Sequence, residues 1–366
     1  MSLFGRLRSE RGFSLVEMLV SAGIMVAVTG AIFTLMHPAQ GSATAQPEVA
    51  DQQQRLRVAQ ETLFKDILMA GAGPYQGPTT GSLINFFAPI LPRRTGRINP
   101  DPTQGTASYR SDALTLTYIP NSYSQTNISQ DMPANSVELK VEVQDHCPKK
   151  DPLCGFTDGM SVMLFDSSGN FDAFTITQTQ DDAAHLQHRG QNWTHSYEAG
   201  ANVTQILTYT YYLNPTTNQL MRYDGDQTDI PIADNIVGLA FRYFGDPLPP
   251  TKPKPQLGIA NCLYDDAGNL LPLQTLTNGD GSMAELSPAM LSDGPYCGSG
   301  SNQYDADLLR IRKVRVELRV QVSSEALRST DTALFIRPGQ ARASDRVVPD
   351  YRVAFEVSPR NLNLAR

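Results

Sequence analysis

GFSLVEMLVSAGIMVAVTGAIFTLM, residues 12–36, is an unbroken apolar run a dozen residues from the N-terminus, and Glu17 is the only charge inside it. A helix needs about 20 apolar residues to cross the hydrocarbon core of a bilayer, and the stretch from Phe13 to Met36 is long enough. An ionised carboxylate at membrane depth costs about 2.5–3.5 kcal/mol on insertion scales, so Glu17 calls for a partner. Ahead of the run, MSLFGRLRSERG carries Arg6, Arg8 and Arg11 against the single acid Glu10. Basic residues beside the first apolar segment hold their side in the cytoplasm, which sends everything after Met36 across the membrane. Two other readings compete. One is a plain single-pass tether whose acid snorkels to the headgroups. The other is a secretory signal cut after Ala43-Thr44-Ala45, before Gln46, although secretory apolar regions usually run only about 7–15 residues.

A basic leader ending in Gly12, then Phe13-Ser14-Leu15-Val16-Glu17 and a long apolar helix, resembles the N-terminus of type IV pilins and pseudopilins. The resemblance implies that a prepilin peptidase cuts between Gly12 and Phe13 and methylates the new terminus, leaving N-methylphenylalanine. It also gives Glu17 its partner. The positive amine of one subunit and the carboxylate of another neutralise each other in a filament, and a buried ion pair of this kind fixes register between helices. Further segments carry the likeness along the chain: RLRVAQETLFKDILMAGAG at 55–73, LTYTYYLNPTTNQLMRYDG at 207–225, IADNIVGLAFRYFGD at 232–246, IRKVRVELRV at 311–320 and SPRNLNL at 358–364. Together they are similar to large minor pilins of the PilW type and, next, to J-type pseudopilins. The implied fold is α+β and pilin-like, a long N-terminal helix packed on a C-terminal antiparallel β-sheet domain. The implied partners are the prepilin peptidase, other minor and major pilins or pseudopilins, the inner-membrane assembly platform and the membrane itself. The implied location is the inner membrane with a periplasmic domain, then a pilus or pseudopilus. A bulky head favours a place near the filament tip.

Beyond the apolar run, His37-Pro38, Gly41 and Pro47 interrupt the helical pattern, so residues 37–47 are expected to be irregular or extended. Helical spacing returns from Glu48 to Ala70, with Leu56, Ala59, Leu63 and Ile67 on one face, and Gly71 supplies the stop. The period then changes to two. Strands are expected at 113–119, 137–143, 161–165, 171–178, 203–213, 219–223, 236–244, 311–322 and 347–357. Turn residues between Phe165 and Phe171, and between Leu213 and Leu220, predict hairpins. The domain layout is therefore a cleaved leader at 1–12, a transmembrane and assembly helix at 13–36, a broken then amphipathic helix at 37–71, and a β-rich domain at 72–366. Within that domain, residues 246–305 are rich in Pro and Gly and read as an insertion with little apolar content.

Composition fits a folded, exported chain of 366 residues with 40% hydrophobic residues. The formal net charge is -7, and losing the leader's three arginines and one glutamate makes the chain more acidic still. That excludes nucleic acid as a partner, and the one basic stretch, Arg310 to Arg319, alternates with Ile311, Val314, Val316 and Leu318 as a half-buried strand does. Cys147, Cys154, Cys262 and Cys297 are an even set beyond the membrane, which suggests two disulfides. Three connectivities are open; local pairing of Cys147 with Cys154, leaving Cys262 with Cys297, is the simplest. Neither pair has the C-x2-4-C spacing of a zinc site. His185, His188 and His195 near Asp181 and Asp182 are a candidate metal or acid–base cluster, with solvated loop residues as the plainer reading. Asp224, Asp226, Asp265, Asp266 and Asp280 offer oxygen ligands, yet none sits in a twelve-residue calcium loop. Gly71-Ala72-Gly73 neither follows a strand nor opens a helix, so it is no dinucleotide loop. No catalytic or cofactor motif emerges, and the chain reads as a structural subunit rather than an enzyme. A pilin-anchored surface adhesin, with the insertion as its binding surface, is the alternative from another class; a membrane-tethered enzyme is a third.

Overall fold

The computed structural model describes residues 12–77, 79–103, 105–189, 192–276, 282–342 and 346–364, so the leader before Gly12 and Asp280 lie outside the described residues. The fold is α+β: an N-terminal apolar helix followed by antiparallel sheets. Helix α1, Leu15–Met69, is continuous through Pro38 and Pro47, where the sequence predicts an irregular stretch. A proline inside a helix removes one hydrogen bond at a cost of about 3 kcal/mol, but it does not forbid the helical path. The carbonyls deprived of a donor belong to Thr34 and Ala43, both exposed, so solvent can satisfy them.

The chain forms two compact units, Met1–Gln52 with Val322–Pro349, and Gln53–Gln321 with Asp350–Arg366. In the first, Ala45, Val322, Leu327 and Val348 make a small apolar cluster with Val49 against it. The Glu48 carboxylate accepts the N–H of Ser323 at 2.9 Å.

In the second unit, the end of α1 buries Leu56, Ala59, Leu63, Ile67 and Ala70, the spacing of one helical face. Asp66 interrupts that apolar face and is satisfied there: the Tyr211 hydroxyl donates to it and Arg222 lies 3.9 Å away. Gly71 ends the helix at φ 78°, and a side chain at this position would run into Leu362. This end of the helix lies in one core with two antiparallel sheets. One has the order Ile90–Leu91, Ala113–Tyr118, Leu207–Asn214, Gln219–Tyr223, Asp229–Asp234. The other runs Ala284–Leu286, Ile236–Gly245, Ile311–Val320, Tyr351–Val357. In Ile311–Val320 the residues Val314, Val316, Leu318 and Val320 are buried, while Lys313, Arg315 and Glu317 face outward, the predicted alternation. The predicted hairpins are present, with Phe165 paired to Phe171 and Leu213 to Leu220.

A third sheet, Gln125–Asn127, Asn202–Gln205, Ser161–Phe165, Phe171–Thr175, serves two cores at once. Met163 and Phe165 point into the main core, whereas Val162 and Leu164 join a second core around Phe174, Leu186, Trp193 and Tyr197. Strict alternation along one strand makes this possible. The expected strand at 203–213 is two strands, because at Ile206 the chain leaves this third sheet for the five-stranded one.

The 246–305 segment departs from expectation. Leu263, Tyr264, Leu286, Leu291 and Tyr304 are buried members of the main core, and Ala284–Leu286 pairs with Tyr243, Phe244 and Gly245 as an edge strand. It is an integral part of the second unit, not an appendage poor in apolar contacts. Pro- and Gly-rich composition hid this, since the buried residues are sparse and follow no period.

Candidate functional site

Ser14 and Glu17 build the start of α1 between them. The Ser14 N–H donates to the Glu17 carboxylate at 2.8 Å and the Glu17 N–H donates to the Ser14 hydroxyl at 3.2 Å. This reciprocal capping box satisfies two of the donors that a helix start leaves open. The pattern Ser-x-x-Glu before an apolar run announces it in the sequence, and the reading of Glu17 as an intermolecular partner passed over that local role. Among the described residues nothing lies within 4 Å of a Cβ placed on Gly12, and Phe13 is 87% exposed.

Beyond the cap, Leu15–Met36 is long and apolar enough to cross a membrane, and its residues are exposed. Its hydroxyls do not break the apolar character. Ser21 donates to the Glu17 carbonyl, Thr29 to that of Met25, and Thr34 to those of Gly30 and Ala31. Such back-bonding hides a hydroxyl within the helix's own backbone. What remains on the surface is hydrocarbon and one carboxylate, and a contiguous apolar surface of this size marks a membrane or a protein partner. One N-terminal segment of this kind is compatible with a single-pass membrane protein.

The cysteines stand in the simplest of the three connectivities: Cys147 with Cys154 at a Cα separation of 4.6 Å, and Cys262 with Cys297 at 4.9 Å. His146 sits against the first pair, but the sulfurs are committed to the disulfide and its Nε2 lies 2.6 Å from the Gln125 carbonyl. The three candidate histidines are not brought together. His185 lies 3.5 Å from Glu138, His195 lies 3.9 Å from Asp166, and His188 is buried against Trp193 with Nε2 on the Ser136 carbonyl. Burial holds the His188 imidazole below its ordinary pKa. Asp224 accepts the N–H groups of Asp226, Gln227 and Thr228, and Asp265 those of Asn269, so both cap their own turns.

Side chains not singled out in the sequence gather around Arg310. Its guanidinium is buried, pairs with Asp307 at 2.6 Å, and donates to the carbonyls of Pro247 and Gln274. Asp305 accepts the N–H groups of Gly294 and Asp307, and Asp293 completes a carboxylate trio within 4.8 Å. Burial first, then the neighbouring Asp307 and Asp293, push the Asp305 carboxyl up to about 7 despite those two N–H donors. Arg310 and Asp305 thus tie the 246–305 segment to the sheet. Arg310 opens the stretch read as a half-buried strand and Asp305 closes the segment read as an insertion, so only the burial reveals them.

Comparison with known proteins finds no family model that matches the chain and no match among characterised proteins.

Proposed function

We propose that this chain is a pilin-like structural subunit, a minor pilin acting in type IV pilus assembly near the filament tip or in its initiation complex. The observation that carries the reading is the arrangement at the N-terminus: Arg-Gly-Phe-Ser-Leu-Val-Glu at the head of an exposed apolar helix, followed in the chain by a β-rich domain. The exposed helix has two solvents open to it in this reading, first the bilayer and then the helices of other subunits. Cleavage before Phe13 would put a cationic amine one residue from the Ser14–Glu17 cap. In a dry filament interior that amine needs an anion, and a charge left unpaired there costs about 3–5 kcal/mol. Glu17 supplies it, exchanging its contact with the Ser14 N–H for the amine of a neighbour. A J-type pseudopilin of a type II secretion system uses the same chemistry, and chain length tips the reading to the pilus.

Two measurements test this. Mass spectrometry of the N-terminal peptide is expected to find N-methylated Phe13; a terminus at Gln46 would establish a secretory signal, and an uncut Met1 a plain tether. In cells lacking the wild-type gene, Glu17→Val should reach the membrane at normal levels and be cleaved, yet fail to co-purify with other minor subunits and lower surface filament number. Glu17→Asp should retain part of the activity. Normal filaments with Glu17→Val would remove the ion pair from the mechanism.

A further inference from the structure

The five-stranded sheet has one face in the main core and, opposite it, a floor of threonines. Thr115 and Thr117 pair in register with Thr210 and Thr208, their hydroxyls 2.7 Å and 3.4 Å apart. Thr115 and Thr117 are 1% and 6% exposed, so this polar strip is shielded from bulk solvent, and farther along the same face Ala113, Tyr212, Met221 and Tyr223 form a small apolar cluster. Beside the strip lies a cavity of about 390 Å³, within the range of small-ligand sites, whose lining includes Thr115, Thr117, Thr208, Phe171, Trp193 and Arg93.

Arg93 is the unusual member. It is 4% exposed, its guanidinium donates to the carbonyls of Thr103 and Gln303, and its Nε has no hydrogen-bond partner. No carboxylate lies within ion-pair distance of it among the described residues. The other charges lining the cavity are answered: Arg97 pairs with Asp226 at 2.7 Å, Arg94 with Asp229 at 3.5 Å, and Asp172 accepts from Thr194, Tyr197 and Asn302. Asp101, the acid that acts on Arg93 from farther away, is occupied by the Arg94 N–H and by Arg110. A buried cation without a counter-charge is costly unless an anion arrives from outside. Hydroxyls on the floor and aromatic rings in the wall define the rest of that anion.

We propose that the cavity between Arg93 and the threonine face binds a small hydroxylated organic anion, of the sugar-acid class. Its carboxylate faces the Arg93 guanidinium, its hydroxyls exchange hydrogen bonds with Thr117 and Thr208, and its apolar face lies along Trp193. Nothing in this role depends on the N-terminal helix, so the site would equip the subunit to hold an acidic glycan unit whichever assembly it serves.

The chain contains a single tryptophan, and it lines this cavity, which makes intrinsic fluorescence a local reporter. The full-length protein in detergent micelles is titrated at neutral pH with sodium D-galacturonate, D-galactose and inorganic phosphate. Galacturonate is expected to give a saturable change, with galactose and phosphate each weaker by about tenfold or more. Arg93→Gln should weaken galacturonate by about tenfold or more while leaving the circular dichroism spectrum unchanged. Should Arg93→Gln not fold, Thr208→Val decides, with an expected loss of about threefold or more. The proposal is overturned by the absence of saturation up to about 50 mM galacturonate, by equal binding of galactose, by tighter binding of phosphate, or by unchanged affinity in the folded variant.

Discussion

Asp305 is 2% exposed and lies beside the carboxylates of Asp307 and Asp293, and the neighbouring cation Arg310 is paired with Asp307. The ordinary value of 3.8 for the Asp305 carboxyl rises to about 7 in the fold, so between those values the folded chain holds a proton that the unfolded chain has released. The stability this group contributes is therefore complete below about pH 4 and is lost as pH rises through about 7. His188 acts in the opposite sense, because its depressed pKa makes acidification below about 6.5 destabilising. Asp305→Asn, which mimics the protonated carboxyl, should gain on the wild type as pH is raised from 4 to 8. Thermal unfolding of the two proteins across that range measures it, and parallel curves would refute the assignment. At this scale the sequence was legible where chemistry restricts the partner. Four cysteines beyond an apolar segment leave three pairings, and the simplest is the one found. It was not legible at Arg93 and Arg310, whose burial is imposed by residues far away in the chain, Gln303 for one and Pro247 for the other.

Helical periodicity picked out Leu56, Ala59, Leu63 and Ile67 as a buried face, and all four are buried. It misjudged Pro38 and Pro47, since a local breaker signal carries no account of how strongly the flanking turns favour the helix. It also ran one strand through Ile206, because a period of two persists when a chain passes from one sheet to the next. The 246–305 segment gives the sharpest contrast. With Leu263, Tyr264, Leu286 and Leu291 in the main core and Arg310 holding two of its carbonyls, the Cys262–Cys297 bridge is one support among several. Cys262→Ser with Cys297→Ser should lower stability by about 2–4 kcal/mol without freeing the whole segment. Limited proteolysis is expected to nick the exposed stretch around Leu257, 84% exposed, and to spare the strand at Ala284–Leu286. Cleavage spread evenly over the segment would show that the bridge alone holds it.

For the whole molecule, the apolar surface of Leu15–Met36 dominates solution behaviour despite a net charge of -7. The chain should stay with the membrane pellet through alkaline carbonate extraction and be released only by detergent; release by carbonate would mean a peripheral attachment. The β-rich unit is built mainly on contacts between distant parts of the chain. Thr115 meets Thr210 across 95 positions, and the strand Ile236–Gly245 finds Ile311–Val320 only after the long excursion between them. Such topologies assemble slowly, over milliseconds to seconds, because loop closure must precede the contacts that reward it. Cys147 and Cys154, seven positions apart, can meet at once, whereas Cys262 and Cys297 are brought together across 35. There is thus an interval after synthesis in which the strands are made but unpaired, and open edges then invite pairing with any neighbouring chain. A helix that settles into a bilayer before that interval ends keeps each chain at the surface where it arrived, restricting its encounters to two dimensions while its sheets find their partners.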